Sequence, residues 1–596
     1  MVSCHAVINS FKMISLKNLS FSILSILFLI IPHINIKNFG GPVVTPTDYL
    51  IWLGIIFFVL IAGISSVRKF TFVKPQLLIY ILIFICLGLL SVLFNPILNY
   101  HAFLFRTLGL IGGVIFFIAL HQFKLLPEER DKLLVIIFIS GVIEAGIGII
   151  QYMGPYLEVP LITPADRGII YGSFQQPNLF SSFIGSTIII SLFLISRSLF
   201  RNLAAVNKVG FYIFVGALFF VLLPSQSRVG LIGTILGTTV LLISRSRIYK
   251  TLIKYSLFWL CAAVVGMGSS YAIEKINLDK KPSLVKKFQA PVTAKSGEGR
   301  ILIYRTSYEM FKDMPVFGQG PGNFGSQYLF YRKEFLKKNP DYLDFNIEAK
   351  YNSHPHNEIL YRITESGIVG GIGLMVLIFC FISMIFRLGR ERGGLYLALL
   401  LPIGLETQTE FPLYQSIVHW ALFLFLCYLP SSHFIQKIHF SNNYRRRTIL
   451  VTFIVGLFLL TGSFLFSTFR AHMDLIKYYK FLALKGENRP LFLKSALDNS
   501  YLEQLATRLF MDVNLGIALK KNNPIALNRF IEWSREERKV FPHMALYLGE
   551  IKALYALGNK KQAYNILEEG LSLYPKQVNL LKQKDILFSK REEGKL

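Results

Sequence analysis

The sequence predicts an all-α, polytopic membrane fold of about thirteen transmembrane helices, with a large outward loop and a C-terminal helical domain. Three observations predict it. Hydrophobic residues make up 53% of the chain, aromatic residues 14%, and mean hydropathy is +0.49, values that exclude an ordinary soluble protein. Apolar runs recur at roughly the 20-residue length that a helix needs to cross a bilayer. Much of the formal charge of +28 sits in short segments beside those runs, the pattern of inward-facing loops rather than of a nucleic-acid surface. Membrane lipid is therefore an expected partner and nucleic acid is not.

The elements follow in order. Residues 1–18 carry Lys12 and Lys17 ahead of an apolar run with no small-residue cleavage site, so they read as a cytoplasmic lead-in to an uncleaved first span. Residues 19–271 hold the first nine spans: Leu19–Ile36, Asp48–Val67, Pro75–Phe94, Phe103–Leu120, Leu133–Met153, Asn178–Ser196, Val209–Leu223, Val229–Ser244 and Leu252–Tyr271. A long polar loop, 272–357, comes next. Four more spans fill 358–469: Glu358–Phe386, Leu395–Gly404, Gln415–Leu429 and Thr448–Phe469, the second of them short. Basic residues set the orientation. Lys17, Arg68, Lys69, Lys74, Lys124, Arg130, Arg197, Arg245, Arg387, Arg390, Arg392 and Arg445 to Arg447 fall on one side, and Lys37, Arg167 and Arg228 on the other. The first side is cytoplasmic by the positive-inside rule, so the loop 272–357 and the tail 470–596 face outward. Lys280, Lys281, Lys286 and Lys287 make the loop basic near its start, as solvated charge or as an attraction for phosphates. In the tail, Ala545–Leu557 and Gln562–Tyr574 are amphipathic about a Gly558-Asn559 turn. Pro542 and Pro575 lie 33 residues apart, close to a tetratricopeptide-like period of about 34.

Chemistry is sought in polar residues beside lipid. Five cysteines show no CxxC spacing, which supports neither a disulfide framework nor a zinc site. No P-loop, HExxH or GxSxG occurs in a convincing context, and Gly318-Gln319-Gly320-Pro321-Gly322 reads as a turn. His354 and His356 stand two apart without a further ligand set, so no metal or cofactor is expected. Topology gathers one group on the outer face: Gln175-Gln176-Pro177-Asn178, Arg228, Arg300, His356-Asn357 and Glu410-Phe411-Pro412-Leu413-Tyr414. Arginine stays charged and grips phosphate oxygens with a rigid fork. Histidine takes a proton near neutral pH. Together they suit a pyrophosphate substrate and an incoming hydroxyl. Arg106 and Glu144, inside spans, read as a structural pair in preference to cavity-lining groups. Glu358, Arg362 and Glu365 have the spacing to pair along one helix face and hold His356.

At these residues the chain resembles the bacterial O-antigen ligase and PglL-type protein O-oligosaccharyltransferase superfamily. His356-Asn357, nine residues and then Gly367-Ile368-Val369-Gly370 fit its His-Asn…Gly-x-x-Gly pattern. Ser227-Arg228 and Gly299-Arg300 with Phe317 to Phe324 are similar to further family elements. Gln175-Gln176-Pro177-Asn178 and Glu410-Phe411-Pro412-Leu413-Tyr414 are similar to elements of the protein-glycosylating branch, with Phe411 in place of the commoner tyrosine. The resemblance covers roughly residues 20–470. It implies a GT-C-like glycosyltransferase of the bacterial inner membrane that needs neither metal nor nucleotide sugar. The donor would be a glycan on undecaprenyl pyrophosphate at the periplasmic face. His356 would be the general base, and Arg228 and Arg300 would bind the pyrophosphate. Gln176 and Tyr414 would position substrate, and Asn178, Asn357 and Glu410 would support. Three functions compete: transfer to Ser or Thr of periplasmic or pilin-like proteins, O-antigen ligation to lipid A core or polymerisation, and lipid-linked glycan transport. The Gln-Pro-Asn and Glu-Phe-Pro-Leu-Tyr elements and the outward tail favour the first. A transporter would show paired, broken spans and charges deeper in the membrane.

Overall fold

The computed structural model describes residues 15–36, 45–154, 168–276, 295–343, 351–440, 443–486 and 489–587. Lys12, Lys37, Arg167, Lys280, Lys281, Lys286 and Lys287 lie outside the described residues. Among the described residues, nine helices are long and apolar enough to cross a membrane. They are α1 (Leu16–Leu29, continued by a 3-10 turn to His33), α2 (Pro46–Lys69), α4 (Tyr100–His121), α5 (Pro127–Met153), α6 (Pro177–Ile195), α7 (Ala205–Leu222), α9 (Ile253–Ile276), α12 (Glu358–Arg387) and α15 (Tyr444–Lys485). Shorter apolar helices α3 (Leu77–Leu90), α8 (Arg228–Ser244) and α14 (Ile417–Ser431), with α13 (Gly389–Glu406), complete the bundle. Each of the thirteen apolar runs is thus a helix, and the chain is an all-α, multi-pass membrane protein. The long loop contributes α10 (Lys295–Asp313) and α11 (Phe324–Lys338). The tail contributes α16 (Glu503–Lys520), α17 (Pro524–Val540), α18 (Met544–Ala556), α19 (Lys560–Leu573) and α20 (Val578–Leu587).

Helix α6 is the axis of the bundle, buried from Leu179 to Ile195. Small residues let its neighbours approach. A Cβ on Gly141 of α5 would meet Thr187, and one on Gly230 or Gly237 of α8 would meet Ser181 or Ile189. In lipid the apolar effect gives helices no reason to associate, so such close van der Waals contact has to supply it. The basic connections gather at one end. Lys17 bonds Glu129 at 2.8 Å, Arg197 bonds Asp131 at 2.7 Å, and Arg390 donates to the Ile243 carbonyl at 2.8 Å. The same end carries a two-stranded antiparallel sheet, β1 (Thr71–Pro75) with β2 (Ile435–His439), which the reading as all-helix did not anticipate. It closes the backbone of two inter-helix links that would otherwise leave polar groups unpaired near lipid.

Helix α12 is broken. Gly367 has φ +62 and ψ −162, a conformation open to glycine alone, and a Cβ there would meet the Val316 carbonyl oxygen at 2.2 Å. The backbone groups freed by the break are all taken by the loop from Pro315 to Gly320. Ile368 and Val369 donate to the carbonyls of Pro315 and Val316, while Gln319 and Gly320 donate to those of Thr364 and Glu365. The glycine-rich segment is thus a turn, as expected, and it serves as a splint.

Two pairings differ from expectation. Arg106 bonds Glu365 at 3.4 Å, and Glu144 bonds His33 at 2.7 Å and Ser173. Arg106 and Glu144 therefore do not pair, because each helix's rotation about its axis, absent from the sequence, turns them to different neighbours. Glu365 in turn leaves the Glu358–Arg362 pair, which forms alone at 3.0 Å. The boundary read at Arg470 falls within α15, which runs unbroken to Lys485. The tail segments Ala545–Leu557 and Gln562–Tyr574 are helices α18 and α19, turning at Gly558 (φ +82). The tail packs on the long loop through one apolar cluster that includes Phe324, Tyr328, Tyr361, Phe411, Phe530 and Tyr547.

Gly367→Ala is expected to lower stability by more than about 3 kcal/mol, because strain and a backbone clash add. Gly404→Ala, where a Cβ meets nothing within 4 Å, is expected to be neutral or stabilising by up to about 1 kcal/mol. Thermal unfolding of the detergent-solubilised variants reads both.

Candidate active site

His356 stands where α12 begins. Its backbone is left-handed, with φ +55, and its N–H donates to Nδ1 of His354 at 3.2 Å. The next residue, Asn357, does two things. Its Oδ1 accepts from the Leu360 N–H at 2.8 Å, which caps α12. Its Nδ2 donates to the Gln408 carbonyl at 3.0 Å, and the Glu358 N–H donates to the Thr407 carbonyl at 2.9 Å. The His-Asn pair is thereby stitched to the turn after α13, and that turn carries Glu410.

Glu410 is the hub. Its Oε2 meets His356 Nδ1 at 3.0 Å, and its Oε1 accepts from Arg300 Nη2 at 2.7 Å and from Asn178 Nδ2 at 3.1 Å. Burial pushes this carboxyl up. The His356 contact and the Arg300 charge outweigh burial and hold it below the ordinary carboxylate range. Glu410 is 8% exposed, so these contacts are poorly screened. With Nδ1 held by Glu410, the other ring nitrogen, Nε2, is the one left to take a proton from a hydroxyl. A carboxylate that fixes the tautomer and stabilises the imidazolium is the logic of a general-base dyad.

The sequence-derived residues divide into three groups. His356, Glu410, Arg300 and Asn178 converge directly. Glu410, expected only to support, is the centre. Arg228 starts α8 and Gln176 precedes α6, and a Cβ on Gly230 would meet Ser181 Oγ at 2.0 Å. Both residues therefore stand at the same end of the bundle as Asn178. Tyr414 belongs to a neighbouring group, where its hydroxyl bonds Arg362 and its ring stacks on Phe411 at 4.3 Å. Arg362, Glu358, Gln408 and Tyr414 line a mostly apolar cavity of about 1800 Å³ that runs between α2, α4, α12 and α15 and reaches tail residues Arg508 and Trp533.

His354 now has a role. It stacks on Phe411 at 4.4 Å with planes 4° apart. Burial, then the neighbouring charges of His356 and Arg106, lower its pKa to about 3, so the ring is neutral and Nδ1 can accept from His356. Sequence reasoning missed the Arg106–Glu365 brace, which also ties Arg106 to the Ser353 carbonyl at 3.4 Å just before His354. It also missed Tyr304, whose hydroxyl reaches the Gln408 carbonyl at 3.4 Å. Nothing local marks either, since both depend on segments far apart in the chain. Among the described residues, no cluster of three or more His, Cys, Asp or Glu has the makings of a metal site.

Acid should loosen this site in two stages. His354 is depressed from 6.5, so its contribution is whole above that value and is lost as pH falls towards about 3. Glu410 is depressed from 4.5, so its contribution is lost only as pH falls below that value. Melting temperature against pH is expected to flatten between pH 6.5 and about 3 in His354→Gln. In Glu410→Gln it is expected to flatten only below about pH 4.5.

Two family models match the chain. One, described as O-antigen ligase, covers residues 211–375, and the other, described as virulence factor membrane-bound polymerase, C-terminal, covers residues 395–585. The first spans Arg228, Arg300, His356 and the glycines through Gly370, and the second spans Glu410, Tyr414 and the tail. No curated protein matches the chain. With the site's two halves, His356 and Glu410, each inside a matched region, the chain belongs to the O-antigen ligase superfamily of membrane glycosyltransferases.

Proposed function

We propose that the protein moves a glycan from undecaprenyl pyrophosphate to a Ser or Thr hydroxyl of periplasmic or pilin-like proteins, at the outer face of the bacterial inner membrane. The observation that carries the chemistry is the buried Glu410 that joins His356 to Arg300. In the transfer step, His356 Nε2 takes the proton of the acceptor hydroxyl, and the oxygen attacks the anomeric carbon. The bond from that carbon to the pyrophosphate oxygen breaks, and polyprenyl pyrophosphate leaves with the electron pair. Displacement from the opposite face inverts the anomeric carbon. Arg300 and Arg228 meet the charge that grows on the leaving group. Arg300 is 40% exposed along its side chain, so it can serve Glu410 and substrate together. Gln176 and Tyr414 flank this centre as positioning groups, and Asn178 and Asn357 hold the frame.

The protein acceptor is supported by the tail. Its aromatic residues pack beside the site and its Arg508, Trp533 and His543 line the adjoining cavity, a surface broad enough for a polypeptide. A second reading, O-antigen ligation or polymerisation with a saccharide acceptor, is favoured by the descriptions of the two matching family models.

His356→Ala is expected to abolish transfer in a purified assay while the protein still inserts and elutes as wild type; retained transfer rejects the base. Glu410→Gln should lower turnover on the order of 10³-fold with a smaller effect on KM. Arg228→Ala and Arg300→Ala should weaken use of the pyrophosphate donor. Intact masses of periplasmic proteins, compared with lipopolysaccharide profiles with and without the chain, separate the two acceptors. Glycan gained on protein supports the first reading, and glycan gained only on lipopolysaccharide replaces it with the second.

A further inference from the structure

We propose that the end of the bundle opposite His356 holds the phosphodiester headgroup of an anionic membrane lipid, with Arg245 and Arg197 as its cations. The helix ends bring these residues together. Arg197 follows α6 and Arg245 follows α8. Their guanidinium groups lie over the same ring, Phe193, at 5.5 and 5.1 Å. Arg197 has a direct partner, Asp131 at 2.7 Å. Arg245 is 9% exposed, and among the described residues its Nε and Nη1 are buried with no hydrogen-bond partner. The acids whose charge acts on it are Glu391, whose side chain is exposed, and Asp131, already committed to Arg197.

The inward bias of basic residues accounts for arginines in water, but it does not account for a buried one. A buried guanidinium is costly unless its N–H groups are met by an acceptor. Two arginines with one bonded carboxylate leave positive charge uncompensated, and a phosphate oxyanion supplies what is missing. The shared chemistry is a phosphate group, from a lipid or from solution. The surface favours the lipid. Leu199 is 39% exposed, Leu242 38% and Ile243 58%, and they border the two arginines with an apolar face fit for acyl chains. Basic pockets between membrane helices recognise anionic headgroups by this combination.

The test is native mass spectrometry of the delipidated full chain incubated with phosphatidylglycerol, with zwitterionic phosphatidylethanolamine, or with inorganic phosphate. Wild type is expected to retain phosphatidylglycerol over phosphatidylethanolamine. Arg245→Gln should lower that retention by at least about fivefold, the change that corresponds to one cation lost beside an anionic group. If Arg245→Gln does not elute as a folded chain, the charge-balanced Arg197→Gln/Asp131→Asn variant carries the same readout. Equal retention in the folded variant overturns the proposal. Displacement of the lipid by inorganic phosphate overturns the lipid as occupant.

Discussion

A carboxylate taken out of water must be compensated on every side, and Glu410 meets that requirement with groups from three other parts of the chain. Asn178 comes from the start of α6, Arg300 from α10 in the long loop and His356 from the mouth of α12. Removing any one leaves charge or a hydrogen-bond acceptor unmet in a poorly screened place. The long loop and the ends of α6, α12 and α13 are therefore located by one another. His356 has its Nδ1 held by the same contact that ties the segments together at this end, so the frame and the proposed chemistry draw on one interaction.

The break at Gly367 solves a second problem, that of bringing a loop down onto a membrane helix. An intact α12 would satisfy its own backbone and offer the loop only side chains. By opening at Gly367, the helix exposes two donors and two acceptors, and the Pro315–Gly320 segment fills all four. The loop is registered to the helix by main-chain bonds that no surface substitution removes. Glu365, two residues before the break, then reaches both Arg106 and the Phe324 N–H, which extends the frame to α4 and α11.

Much of this was legible in sequence, for physical reasons. The spans announce themselves because a bilayer demands long apolar runs, and the arginine-rich ends because charge stays on one side. His356-Asn357 and the glycines were visible as a motif, though not the tasks they perform, since a cap, a tether and a break are properties of coordinates. Partner choice was illegible. Arg106 finds Glu365 rather than Glu144 because of how far α4, α5 and α12 turn about their axes. Thr71 meets His439 across most of the chain's length, and no local pattern in either strand foretells it. Glu410 looked subordinate for the same reason: its three partners are adjacent only after folding.

Helix α15 runs for 42 residues without interruption, about 63 Å at 1.5 Å per residue, roughly twice the depth of a hydrocarbon core. The same rigid rod is thus both a membrane anchor and the mast on which the tail begins. A span answers a thicker or thinner bilayer by tilting, and a mast tilts from its foot. The tail also rests on the loop beside His356, so a tilt of the rod at its foot would be felt at the far end of a lever, beside Glu410 and its partners.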